Sequence, residues 1–99
     1  MSKIGLLARI EAKPEFADQV EALLRGALEL ARAEDLTLAW FAFRESPTVF
    51  GIFDTFEGEE GRTAHLNGKI AAALMEIAPT MLAVAPDIRT IDLLAAKLA

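Results

Sequence analysis

The chain has 99 residues, a net charge of −5 and no cysteine. That length suits one small domain spanning residues 1–99, and an acidic chain without a Lys/Arg cluster disfavours nucleic acid and anionic membranes as partners. The absence of cysteine excludes disulfides, thiolate nucleophiles and thiolate metal sites. Apolar residues make up 54%, above the roughly 45–50% usual for globular domains. A domain this small buries only about two-thirds of its unfolded surface, so the surplus is expected at a subunit interface. The first residues, MSKIGLLARIEA, lack the long apolar core and cleavage site of a signal peptide. The longest charge-free stretch, Ile77 to Pro86, is far shorter than the about 20 residues of a membrane helix. A soluble cytoplasmic protein is the expectation.

In chain order, Lys3 to Ala12 alternates, with Ile4, Leu6, Ala8 and Ile10 against Lys3, Arg9 and Glu11, the period of a strand. Pro14 suits the first turn of a helix, and Glu15 and Asp18 favour its N-terminus. Phe16, Val20, Leu23, Leu24, Ala27 and Ala31 then form one apolar stripe to about residue 33. Leu36–Glu45 and Val49–Phe56 are rich in aromatic and branched residues and flank Ser46-Pro47-Thr48, so a hairpin is predicted. Glu57-Gly58-Glu59-Glu60-Gly61 opens a second helical region, which Asn67-Gly68 divides, and Pro79 marks a further break or restart. Pro86 to Leu94 supplies a fourth strand.

The order βαββαβ predicts an α+β, ferredoxin-like antiparallel sheet with the helices on one face. The hairpin adds a constraint. Leu36, Leu38 and Trp40 share one side of their strand, with Ala39, Phe41 and Phe43 on the other. Val49 and Phe53 likewise oppose Phe50, Ile52 and Phe56. A sheet with one wet face alternates apolar with polar; here both faces are apolar. Helices cover one, and a second copy of the sheet is the simplest cover for the other. A homodimeric, barrel-like assembly is therefore expected.

Dinucleotide, P-loop, zincin and hydrolase motifs are all missing, and a single histidine without cysteine disfavours structural zinc. Two polar residues remain of interest. Asp54 falls on the face of Phe50, Ile52 and Phe56. Burial there would be costly unless it were paired, with Arg9, Arg44, Arg89 and His65 as conceivable partners; contact with water near the strand end, or a purely structural ion pair, is the alternative to a functional role. His65 is the sole histidine. It is either a residue of a helix end or a proton-exchanging group at a cavity mouth. Glu57, Glu59 and Glu60 read as a helix start, and Trp40 and the phenylalanines as core and interface.

The stretch WFAFRESPTVFGIFDTFEGEEGRTAH, residues 40–65, resembles the antibiotic biosynthesis monooxygenase-like family of dimeric α+β barrels. Arg44, Pro47, Phe50 and the Ala64-His65 pair match the family. Trp40 and Phe43 stand where tyrosines are frequent, Asp54 at a glutamate position and Phe56 at a tryptophan position. The resemblance implies a homodimer with a pocket between sheet and helices. It also implies oxidation of a quinol-like or polycyclic aromatic molecule by O2 with no metal, haem or flavin. In that picture His65 or Asp54 assists proton transfer, and Trp40, Phe50, Ile52 and Phe56 line the pocket.

Some positions depart from the pattern. Phe56 lacks an indole N–H, Ile52 is apolar, and the chain has no tyrosine. The first strand has no Asn, which disfavours haem degradation. The alternative readings are a non-catalytic dimeric barrel, binding an apolar small molecule or acting as an assembly module, and isomerase or decarboxylase chemistry on a related barrel.

Overall fold

The computed structural model describes residues 1–98. Alternation along the first segment gives β1 (Ile4–Glu11), which lies at the centre of the sheet between β3 (Val49–Phe56) and β4 (Asp87–Asp92). The Ser46-Pro47-Thr48 turn joins β3 to β2 (Ala39–Arg44), and Val49 N–H donates to Ser46 Oγ at 3.2 Å. All pairings are antiparallel, in the order β2-β3-β1-β4. The sheet and helices form the predicted ferredoxin-like α+β arrangement.

A short 3-10 turn at Pro14–Phe16 leads into α1 (Ala17–Arg32), whose Val20, Leu24, Ala27 and Ala31 are buried. That spacing is the stripe of an amphipathic helix. The second helical region divides at Asn67-Gly68 into α2 (Glu59–Leu66) and α3 (Lys69–Met81). Ile70 and Leu74 of α3 join Ile10, Ala8, Phe50 and Ile52 from the sheet in one core with the α1 stripe.

Three boundaries differ from the sequence reading. The second strand begins at Ala39 rather than Leu36, because Glu34 and Thr37 form a turn in which Thr37 N–H donates to Glu34 O at 3.2 Å. Helix α2 begins at Glu59, after Glu57 and Gly58. Pro79 neither breaks nor restarts α3: it lies within the last turn, where its missing N–H costs the single bond to the carbonyl of Met75, and the helix ends at Met81.

The opposite face of the sheet carries Leu7, Phe41, Phe43, Phe53 and Ile91 by strand register. Phe41 is 57% exposed. Both faces are apolar, and α1, α2 and α3 serve one of them. Two glycines on this face leave space that neighbouring groups fill. A Cβ on Gly5 would lie 2.8 Å from the Asp54 backbone O, and one on Gly51 would lie 2.2 Å from Cζ of the Phe43 ring. Backbone cannot move aside, whereas the half-exposed Phe43 ring can rotate outward. Gly5→Ala should therefore lower stability by about 1–3 kcal/mol in urea denaturation, and Gly51→Ala by clearly less.

Candidate active site

Asp54 lies in the middle of the helix-facing side of the sheet. Strand register sets it between Leu6 of β1 and Trp40 of β2. It is 1% exposed, which excludes the solvent-contacting alternative. A carboxylate there needs a partner, and α2 supplies it: His65 Nε2 is 2.9 Å from Asp54 Oδ2. His65 is 7% exposed, so although it occupies the last turn of α2 it is not a surface residue. Its ring rests against Phe56, with centroids 5.5 Å apart.

A third group completes the cluster. His65 Nδ1 is 2.6 Å from Oε1 of Glu34, which also accepts a hydrogen bond from Thr37 Oγ1 at 2.8 Å. Glu34 was not legible as a site residue, because Ala33-Glu34-Asp35 in sequence is an ordinary polar helix end. Both ring nitrogens thus face carboxylate oxygens. Burial disfavours the charged imidazole, but the hydrogen bonds with Asp54 and then Glu34 outweigh it and push the His65 pKa up to about 9. His65 is an imidazolium at neutral pH, donating from both nitrogens.

Asp54 and His65 form the polar part of a small cavity of about 40 Å³ between the sheet and α2–α3. Its other walls include Leu6, Ile52, Ile70 and Leu74, with Leu66, Met75 and Ile88 toward solvent. Asp54 Oδ1 has no hydrogen-bond partner among the described residues.

The residues read from sequence divide into three places. Ile52 lines the cavity with Asp54 and His65. Phe56 supports the His65 ring and is fully buried. Trp40 and Phe50 instead line a second, larger groove of about 430 Å³ between α1 and β2. There Arg44 reaches Glu21 at 2.8 Å and lies 4.9 Å over the Phe50 ring. That guanidinium holds the Glu21 carboxyl below the usual carboxylate range. The Trp40 indole N–H is buried without an acceptor among the described residues.

Among the described residues no group of three or more His, Cys, Asp or Glu side chains is arranged to hold a metal ion. Glu34 and Asp54 approach opposite nitrogens of one ring rather than converging on a point. No helix among the described residues is long and apolar enough to cross a membrane.

No protein-family model matches the chain, and no curated protein matches it. Among solved structures, a Nitrosomonas europaea protein of unknown function is 52% identical over 100% of this chain and 96% of its own, with a TM-score of 0.96. The chain belongs to the same family as that protein. A structure named antibiotic biosynthesis monooxygenase superposes with a TM-score of 0.80 at 21% identity, covering 93% of this chain and 99% of its own. A Pseudomonas aeruginosa protein gives 0.81 at 22% identity, covering 96% and 97%. The fold is thus the antibiotic biosynthesis monooxygenase-like fold that residues 40–65 resemble.

The raised pKa of His65 has a consequence for stability. The folded chain holds this proton more tightly than the unfolded chain, so the contribution is complete below the ordinary value of 6.5 and is lost as pH rises through about 9. Urea denaturation across that window should show stability falling by an amount on the order of 3 kcal/mol. The slope should disappear in His65→Ala.

Proposed function

We propose that the protein is a cofactor-independent monooxygenase that oxidises a quinol-like or polycyclic aromatic molecule with O2. The observation carrying this reading is Asp54 Oδ1. It is a buried acceptor without a partner among the described residues, and Asp54 lines an otherwise apolar cavity beside a protonated His65. An activated aromatic methylene gives its proton to Asp54, and the resulting carbanion passes one electron to O2. The substrate radical and superoxide then combine to a peroxide anion, which regains the proton from Asp54 and loses water to leave a carbonyl. One O2 is consumed, one oxygen atom ends in the carbonyl and the other in water, so no external reductant enters. His65 places positive charge beside the developing oxygen anions, and the apolar walls exclude water.

The cavity of about 40 Å³ exceeds the roughly 10–15 Å³ that holds one water but is far below the roughly 300–1,000 Å³ of small-molecule sites. An aromatic substrate therefore enters with the half-exposed Leu66 and Met75 displaced. The test is oxygen uptake by metal-stripped protein with a panel of quinols and anthrones. Asp54→Asn should lower kcat by about 10²–10⁴, and His65→Ala should also lower it, each with the fold retained by circular dichroism. Uptake no faster than the spontaneous reaction across the panel would overturn the assignment.

A non-catalytic binding module is the second reading. It is favoured by the groove of about 430 Å³ beside Trp40, within the size range of small-molecule sites. An aromatic compound co-purifying with the protein, without uptake activity, would support it.

The same proposal includes a homodimer, supported by the apolar open face of Leu7, Phe41, Phe43, Phe53 and Ile91. Sedimentation should give twice the chain mass for the native protein. Phe41→Glu, which sets a charge in that face, should shift it toward the monomer.

A further inference from the structure

His65 is held by two carboxylates, yet the chemistry above uses only one. Asp54 reaches Nε2 and faces the cavity, whereas Glu34 reaches Nδ1 at 2.6 Å from the far side of the ring and does not line the cavity. Glu34 is fixed from three directions. Its backbone N–H continues α1 by donating to Ala31 O at 3.0 Å, and Thr37 Oγ1 donates to its carboxylate. The α2–α3 junction packs over it, so that a Cβ on Gly68 would lie 3.1 Å from Glu34 Oε2. Such a carboxylate is positioned, not merely tethered.

The second carboxylate matters at one moment of the reaction. When Asp54 takes the substrate's proton it becomes neutral, and a buried imidazolium facing only a neutral carboxyl loses the interaction that kept it charged. We propose that Glu34 is a positioning residue that keeps His65 an imidazolium while Asp54 is protonated, so that positive charge stays at the cavity wall as oxygen is reduced. This inference rests on the reading of Asp54 as the proton acceptor. The charged groups facing His65 are Asp54 from β3 and Glu34 from the segment after α1. Arg62, one turn earlier on α2, is engaged with Gly5 O and Glu59.

The chain's single histidine makes the test direct. With ¹⁵N-labelled histidine, the nitrogen chemical shifts report the charge of His65 without any substrate. Asp54→Asn mimics the neutral partner. In that variant His65 should remain an imidazolium at pH 7, and in Asp54→Asn/Glu34→Gln it should be neutral. A neutral ring in the single variant would overturn the proposal, and so would a charged ring in the double variant.

Glu34→Gln alone gives a second reading if the Asp54 variants fail to fold. The proton affinity of His65 should drop by about tenfold or more, and Glu34→Asp should recover much of it; equal values for the two variants would also overturn the proposal. With active enzyme, Glu34→Gln should lower kcat with KM unchanged and move the alkaline limb of the pH profile to lower pH. A purely structural Glu34 would leave that limb in place. Loss of the oxygenase reading would show as absent uptake with the nitrogen shifts still as described, whereas failure of the shifts would remove the role of Glu34 whatever the uptake.

Discussion

The structure depends on a carboxylate placed where the sheet should be greasiest. Asp54 is almost wholly buried on the helix-facing side of β3, between Leu6 and Trp40 on the neighbouring strands. An ionised group in that position costs several kcal/mol unless an opposite charge meets it. His65 meets it, and this requirement fixes much else. Helix α2 must end where the ring reaches β3, Asn67-Gly68 must turn the chain there, and Phe56 must support the ring from below. Glu34 then closes the other side of the ring and draws the end of α1 into the same cluster.

The resulting triad has two anions and one cation when both carboxylates are ionised. Buried ion pairs are weak evidence for stability, because a well-packed apolar replacement often does as well. Under the proposed function these charges equip a site as well as hold α2 to the sheet, and Asp54 Oδ1, without a partner among the described residues, supports that reading.

Much of this was legible in the sequence. Alternation in Lys3–Ala12, the stripe of α1 and the Ser46-Pro47-Thr48 turn each follow from a single backbone period or turn preference, and these elements appear as read. Asp54 and His65 stood out because a charge within Phe50, Ile52 and Phe56 is chemically anomalous, and because only one histidine exists. Glu34 could not stand out, since it sits among ordinary polar residues at a helix end and acquires its role only when α2 folds over it. The division of the aromatic residues was equally hidden. Trp40 and Phe50 share the face of Ile52, but the groove and the cavity on that face are separated by how α1 and α3 lie across the sheet, which strand parity does not encode.

Alternation along β3 has one more effect. Phe53 points to the open face and Asp54, its immediate neighbour, to the cavity, while Gly5 brings β1 so close that the Phe53 ring and the Asp54 carbonyl fill the space a side chain would take. The sheet at this point is one residue thick, with no intervening layer to absorb displacement. Phe53 on the open face and the carboxylate on the other hang from adjacent positions of one strand, so both surfaces of the molecule share the same few atoms of backbone.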